Sequence, residues 1–207
     1  KYDSNGDYVW ATRIAGTGID IGYGITVDTS NNIYVTGNSG SSSATIYDVD
    51  GTSNSLSSNS GYVVKYNPNG YSEWFAQFSN FNTIHSYSVS TDIANNVYVT
   101  GSYFDTSALT IYDSSGTSND ELPGANDDAV FIIKYNSIGE YQWATHIDGT
   151  DFPEYAYTID TDNDGNVYVT GSYQSSTVNI YDSSRINIKT LSNSGYYDAF
   201  IVKYDSN

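Results

Sequence analysis

The residues with the clearest capacity for chemistry are three carboxylates in one short segment. Residues 160–165 read Asp-Thr-Asp-Asn-Asp-Gly, the alternating form that supplies several oxygen ligands to calcium on a tight turn. Two related segments keep only Asp28 and Asp92, and Gly171 stands where a calcium loop of this type places a bidentate glutamate. Two interpretations therefore remain. One is a calcium site formed by Asp160, Asp162 and Asp164; the other, which we favour, is a hairpin turn.

Other groups that could support catalysis are sparse. There is no cysteine, and the two histidines, His85 and His146, stand at unrelated positions. No nucleophile elbow, phosphate loop or zinc-protease motif occurs. Four carboxylates cluster in one predicted loop, where we expect them to be solvated, with weak cation binding as the alternative: Asp120, Glu121, Asp127 and Asp128. The sequence predicts no enzyme and no cofactor other than calcium.

Tyrosine is abundant, with 22 residues, and it supplies the candidates for ligand binding. Most tyrosines recur at fixed positions, as Tyr23, Tyr87 and Tyr157 do, and we expect these to pack while their hydroxyls reach polar partners. Four that do not recur are predicted to lie nearer to loops, where they could contact a ligand: Tyr103, Tyr173, Tyr196 and Tyr197.

Composition limits the classes of partner. The 207 residues carry 7 basic and 24 acidic side chains, a net charge of -17. Nucleic acids and anionic membranes both require a basic surface, so neither is a predicted partner. No apolar run is long enough to span a bilayer. A chain without cysteine, poor in lysine and rich in Ser, Thr and Asn is typical of an extracellular or surface-exposed protein, on a cell envelope or a virion.

The chain is a tandem repeat of three units of about 64–70 residues. Tyr-Val-Thr-Gly begins at Tyr34, Tyr98 and Tyr168. Tryptophan recurs at Trp10, Trp74 and Trp143, aspartate at Asp28, Asp92 and Asp162, and a Lys-Tyr pair at Lys1, Lys65, Lys134 and Lys203. We expect the tryptophans to form the core between units. We expect each lysine to lay its stem on a sheet and to pair with a recurrent aspartate or with carbonyls.

The units read as short strands separated by turns, with few strong helix formers. Alternation in 97–100, a nearly continuous apolar run in 129–135 and Asn-Gly turns at 5–6 and 69–70 indicate antiparallel strands. The predicted fold is an all-β, β-propeller-type tandem repeat with three blades of about four antiparallel strands, and a short insertion around Ile-Tyr-Asp. The repeat boundaries are 1–66, 67–135 and 136–207. A β-solenoid is the rival, although its coils are usually shorter.

These motifs resemble a known family. The pattern Asp-x-x-x-Asn-(Ile/Val)-Tyr-Val-Thr-Gly stands at 28–37, 92–101 and 162–171, followed by strands ending in Lys-Tyr and by Asn-x-x-Gly-x-x-x-Trp. This arrangement is similar to the SBBP-type β-propeller repeat. The resemblance covers essentially the whole chain. It implies a propeller fold, and it implies little about activity.

Three blades are too few to close a propeller, so the sequence predicts association. The first strand can complete the last blade, and Lys-Tyr-Asp-Ser-Asn stands at both 1–5 and 203–207. We therefore expect an open arc that joins copies of itself, or further repeats of a longer chain, into a ring, fibre or array. The absence of methionine, even at position 1, indicates a processed chain or an excised piece.

The predicted function is a non-catalytic structural or adhesive module at a cell or virion surface, which self-associates into a ring, fibre or surface layer. The alternative is a lectin-like module that binds a glycan or a surface protein through its loop tyrosines.

Overall fold

The computed structural model describes residues 1–57, 60–80 and 82–206. This part of the chain is all-β, with no helix. The strands in chain order are β1 (Ile14–Gly16), β2 (Asp20–Val27), β3 (Ile33–Ser39), β4 (Ala44–Tyr47), β5 (Ser53–Leu56), β6 (Ser60–Tyr66), β7 (Ser72–Ser79), β8 (Thr83–Thr91), β9 (Val97–Asp105), β10 (Leu109–Tyr112), β11 (Ser118–Leu122), β12 (Ala125–Tyr135), β13 (Tyr141–Gly149), β14 (Glu154–Thr161), β15 (Val167–Tyr173), β16 (Thr177–Tyr181), β17 (Asn187–Ser192) and β18 (Asp198–Tyr204).

The strands form four antiparallel sheets. Two complete sheets have six strands, in the orders β2-β3-β6-β7-β10-β11 and β8-β9-β12-β13-β16-β17. Two half-sheets have three strands: β1-β4-β5, here called the N-terminal half-sheet, and β14-β15-β18, the C-terminal half-sheet. This architecture confirms the predicted all-β, propeller-type class. Each complete sheet contains four principal strands, and the hairpin around Ile-Tyr-Asp adds two more at the outer edge.

No repeat builds a complete sheet alone. The first complete sheet takes β2, β3 and β6 from the first repeat, and β7, β10 and β11 from the second. The second complete sheet divides in the same way between the second and third repeats. Every repeat therefore contributes strands to two sheets. At each end of the chain, a sheet has only three of the six strands that a complete sheet contains.

The recurrent Asp and Asn residues form the turn between the two innermost strands of a sheet. Asp28 Oδ1 accepts the backbone N–H groups of Ser30 and Asn32 at 2.8 and 2.9 Å. Asp28 Oδ2 accepts the amide of Asn32 and the hydroxyl of Tyr34 at 2.9 and 3.0 Å. Asn31 has a φ of 64°, which asparagine tolerates better than most residues. The same contacts recur at Asp92 and Asp162.

Three hydrophobic clusters lie between consecutive sheets, which places the four sheets in a row. One joins the N-terminal half-sheet to the first complete sheet, with Ile46 and Val64 fully buried. The next contains Phe78 and Phe131 from the two complete sheets, whose ring centroids are 5.0 Å apart. The third packs Ile132 against Phe200 of the C-terminal half-sheet. The described residues include no helix of the length and apolarity that crossing a membrane requires.

Candidate assembly surface

The recurrent tryptophans lie between sheets. The Trp74 ring is 5.9 Å from that of Tyr34 in its own sheet and 6.4 Å from that of Tyr135 in the next sheet, measured between centroids. Trp143 stands in the same way between Tyr98 and Tyr204, at 6.2 Å from each. Each indole is thus sandwiched by a tyrosine on either side, which is the position that the repeat pattern predicts.

Lys65 and Lys134 each reach a carbonyl just after the end of a strand of the neighbouring sheet, one of the two partners predicted for the recurrent lysines. Lys65 Nζ donates to the carbonyl of Ser137 at 3.3 Å and forms an ion pair with Glu73 at 2.9 Å. Lys134 Nζ donates to the carbonyl of Ser206 at 3.0 Å. The ammonium groups also lie 5.3–5.8 Å from tyrosine ring centroids, within the range of a cation–π contact. The recurrent aspartates accept hydrogen bonds from turns and tyrosines.

The proposed calcium ligands do not converge. Asp162 holds its own turn, and hydrogen bonds from Asn166, and to a smaller extent from Tyr168, outweigh desolvation and lower its pKa to about 2. Asp160 faces a different neighbour, Ser90, at 3.2 Å. Within residues 1–57, 60–80 and 82–206, no group of three or more carboxylate or histidine side chains is arranged to hold a metal ion. This geometry is that of the hairpin-turn interpretation.

Two of the four tyrosine candidates are wrong as ligand residues. Tyr103 and Tyr173 are buried, and their hydroxyls donate to the carbonyls of Pro123 and Ser192 at 2.7 and 3.1 Å. Both lie inside strands, where the strand continues past the repeated Thr-Gly. Tyr196 and Tyr197 are exposed, with ring centroids 5.0 Å apart and planes at 89°, so their role as ligand residues stays a prediction.

The four acidic loop residues have different surroundings. Asp120 pairs with Arg185 and with the Tyr141 hydroxyl. Burial would raise the pKa of Asp120, but these partners outweigh it and lower the value. Glu121 is exposed, whereas Asp127 and Asp128 are half-buried. The expectation of a solvated cluster is therefore wrong for three of the four. Asp127 and Asp128 lie on the sheet because β12 starts earlier than predicted, and Asp120 lies in β11.

The free edges of the two half-sheets are complementary. In the complete sheets β6 pairs with β7, with Lys65 opposite Trp74, and β12 pairs with β13, with Lys134 opposite Trp143. The corresponding strands at the ends are β18 and the segment 10–16, which have no such partner among the described residues. Applying the same register sets Lys203 opposite Trp10, Ile201 opposite Thr12 and Ala199 opposite Ile14.

Exposed apolar side chains mark the same two ends. Ile201 of β18 is 79% exposed, whereas the residues in its place in the complete sheets, Val63 and Ile132, are fully buried. At the opposite end Ile25 is 71% exposed, whereas its counterparts Val89 and Ile159 are nearly buried. Each of these isoleucines is exposed because no further sheet covers it.

Trp10 lacks one of the two tyrosines that flank its counterparts. It lines an open apolar cavity of about 480 Å³ together with Ile25 and Tyr66. By the repeat pattern, the absent ring corresponds to Tyr34 and Tyr98 in the complete sheets. Tyr168 of the C-terminal half-sheet is the matching residue, and it is partly exposed, whereas Tyr34 and Tyr98 are fully buried.

Lys1 and Tyr2 already stand in the place of a recurrent Lys-Tyr pair. Lys1 Nζ donates to the carbonyl of Pro68 at 2.9 Å, as Lys65 does to Ser137. Tyr2 forms an isolated bridge with Tyr8, the counterpart of the bridge between Tyr66 and Ser72. Residues 1–5 and 203–207 have the same sequence, Lys-Tyr-Asp-Ser-Asn.

The sequence predicts association through the chain ends, but it does not single out the exposed apolar side chains there. Ile25 and Ile201 follow the same strand pattern as their buried counterparts. The equivalent positions are apolar in all three repeats, but only the stacking of the sheets shows in which repeat the side chain is not covered by a further sheet.

The fold and its repeated motifs define a β-propeller-type tandem repeat protein. Residues 9–43 and 73–102 match the SBBP family, described as a β-propeller repeat, which confirms the resemblance. A relative from Acanthamoeba polyphaga mimivirus, the uncharacterized WD repeat-containing protein L264, is 27% identical over 227 aligned residues. The alignment covers 99% of this chain and 16% of that protein, so the chain spans a small part of the relative's length. Both comparisons indicate a propeller-type repeat.

Proposed function

We propose that this chain is a non-catalytic structural or adhesive module that joins copies of its own repeat edge to edge. Strand β18 of one copy pairs with residues 10–16 of the next, and the two half-sheets become one six-stranded sheet. The single observation that carries the proposal is the division of sheets into three, six, six and three strands.

The chemistry of the joint supports this proposal. Unpaired strand edges readily pair with other strands. Joining also covers Ile201 and Ile25, and burying an isoleucine contributes about 1.5–3 kcal/mol. In the same joint Tyr168 reaches the open side of Trp10. Strand pairing, apolar burial and aromatic packing thus favour the same contact.

The joint is heterologous, because the two edges differ. Such a contact gives a ring when the rotation closes and a filament when it does not. Two copies joined at both edges would contain four complete sheets and two joined sheets, which makes a six-bladed ring. Without closure, the same joint would build a fibre or a surface layer from successive copies. The charge of -17 would limit non-specific association.

We place this assembly at a cell envelope or virion surface. The support is compositional: the chain is acidic, contains no cysteine and has only 7 basic residues. Immunogold labelling of intact particles or cells, with and without permeabilisation, tests this placement. Labelling that requires permeabilisation would count against it.

Two measurements test the joint itself. Sedimentation velocity across about 10 µM to 1 mM should show dimers or larger species of the 22.6 kDa chain, and a monomer throughout would refute the proposal. Cysteine pairs test the register, because the chain has no cysteine of its own. A mixture of Thr12→Cys and Ile201→Cys should form a disulfide under mild oxidation. Arg13→Cys is the matched control, since adjacent side chains on a strand point to opposite faces.

Glycan or protein binding is a second candidate, supported by the exposed perpendicular pair Tyr196 and Tyr197. Exposed aromatic rings with polar tips suit such contacts. A glycan array with the native chain and the Tyr196→Ala/Tyr197→Ala variant tests this candidate. A hit that persists in the variant, or no hit at all, would count against this pair as the binding residues.

A further inference from the structure

A row of aromatic rings runs along the innermost strands of the three inner-edge hairpins. Tyr23, Tyr87 and Tyr157 hold the same position in β2, β8 and β14, and each is the extra residue of a β-bulge. A bulge re-aims a side chain and is common beside functional sites. At each bulge the ring lies beside the corresponding tyrosine ring of the innermost strand in the neighbouring sheet.

These tyrosines contact one another across the sheets. The centroids of Tyr23 and Tyr87 are 5.3 Å apart, and those of Tyr87 and Tyr157 are 6.1 Å apart. His85 stacks on Tyr87 at 5.6 Å, and Tyr155 stacks on Tyr157 at 6.2 Å. Tyr23 and Tyr157 are exposed, so the packing expected of these recurrent tyrosines takes place at the surface, where the Tyr157 hydroxyl lies 3.2 Å from that of Ser172.

The second half of the row borders a groove of about 340 Å³, within the size range of small-molecule sites, roughly 300–1,000 Å³. We call it the tyrosine groove. Its lining is mostly aromatic: Thr83, His85, Tyr87, Phe104, Asp128, Tyr155 and Tyr157. Among the described residues, no lysine or arginine lines it.

One carboxylate faces these rings. Asp128 lies in an irregular segment of β12, where the pairing with β9 shifts between Ala125 and Ala129. Its Oδ2 accepts a hydrogen bond from the Tyr155 hydroxyl at 3.0 Å. Beside it, His85 Nδ1 is buried with no hydrogen-bond partner in the described part of the chain. The groove thus combines ring faces, a fixed carboxylate and an unused ring nitrogen.

We propose that the tyrosine groove binds an N-methylated ammonium group, such as the trimethylammonium of choline. Aromatic faces attract such cations by about 0.5–2 kcal/mol for each favourable contact, and the Asp128 carboxylate supplies the opposite charge. The methyl groups of the cation match the aromatic side chains that line the groove. An anionic ligand would meet Asp128 and the net charge of -17. A neutral sugar would find hydroxyl groups on Thr83 and on the tyrosines, so it is the alternative occupant that the experiment must separate from a cation.

This inference does not depend on the assembly proposal, because the groove is built by the second complete sheet and the C-terminal half-sheet within one chain. A monomer that binds choline would therefore support the groove and refute the joint. An oligomer that does not bind choline would support the joint and refute the groove.

The experiment is a titration of the native chain with choline, followed by the aromatic proton resonances in NMR at pH 8. Because burial raises the pKa of Asp128, the titration is run well above the ordinary range of a carboxyl group. Saturable shifts at millimolar choline are expected. The probe for comparison is 3,3-dimethylbutan-1-ol, the uncharged carbon isostere of choline, which should bind at least tenfold more weakly.

Variants locate the binding. Asp128→Asn should weaken choline binding about tenfold, and Tyr157→Leu should weaken it at least fivefold while keeping an apolar side chain at an exposed site. Tyr8→Leu, an exposed tyrosine outside the groove, is the matched control and should leave binding unchanged. No saturable shift up to about 100 mM choline, equal binding of the isostere, or binding unaffected by Asp128→Asn would overturn the proposal. Binding of a neutral sugar without choline would overturn it in favour of a lectin.

Discussion

The substitution Ile201→Asp tests the copy-to-copy joint at its most exposed apolar side chain. Ile201 is 79% exposed in the single chain, while Val63 and Ile132 are fully buried in the complete sheets. If the joint reproduces a complete sheet, covering Ile201 contributes about 2 kcal/mol. The aspartate loses this contribution and adds the cost of burying a charge. Since each 1.4 kcal/mol corresponds to a factor of ten, the dissociation constant should rise at least thirtyfold.

Sedimentation equilibrium of the native chain and the variant gives the two dissociation constants. Ile93→Asp is the control, because Ile93 is an exposed isoleucine in a turn and receives the same added charge. The control should associate like the native chain. Equal dissociation constants for Ile201→Asp and the native chain would refute the reasoning, provided that thermal melting shows both variants folded.

Three further predictions concern the joint, pH and metal binding, and a fourth concerns the turn motif. Deletion of residues 1–5 should strengthen association in sedimentation experiments, because Lys1 and Tyr2 occupy the position that the end of another copy needs; weaker association would contradict this competition. Burial raises the pKa of Glu154 from 4.5 to about 7. The folded state therefore favours the protonated acid. The resulting contribution to the free energy of unfolding is complete below about pH 4.5 and is lost as pH rises through 7. Glu154→Gln should remove this loss, a gain of at most about 3 kcal/mol at pH 8 relative to pH 4.5, measured by urea unfolding; an unchanged pH profile would argue against it. The thermal midpoint should be the same with calcium and with a chelator, and a shift of several degrees would restore the calcium interpretation. Asp92→Ala should lower the free energy of unfolding by about 2–4 kcal/mol, since it leaves turn and tyrosine donors without their acceptor, while Asp164→Ala, at an exposed turn position, should change it little; similar losses in both variants would refute this role of Asp92.

The sequence predicted the parts of the fold that depend on local contacts. The turn at Asp28 uses partners two to six residues away, so spacing alone reveals it. The inter-sheet position of Trp74 also followed, because a large apolar ring recurring once per repeat must pack between repeats. The division of each repeat between two sheets was less accessible, since the hairpin of β10 and β11 joins β7 across an intervening strand pair.

The candidate sites were harder to predict because they depend on backbone irregularity and on which surfaces stay uncovered. An alternating strand would direct Tyr157 to one face and Tyr155 to the same face by parity alone. Tyr157 is instead the extra residue of a bulge, and its ring contacts Tyr87 of β8. No residue type in the segment signals this bulge. Asp128 was predicted in a loop because the acidic residues before it disfavour a strand, yet β12 begins at Ala125.

The sharing of every sheet between consecutive repeats makes the repeats interdependent. The hairpin of β10 and β11 completes a sheet whose inner three strands lie in the preceding repeat, so the middle repeat cannot detach without breaking two sheets, and an end repeat cannot detach without breaking one. Melting should therefore spread through neighbouring units as one cooperative event. Force applied to the two chain ends would be carried by the hydrogen-bonded strand pairs that join consecutive repeats.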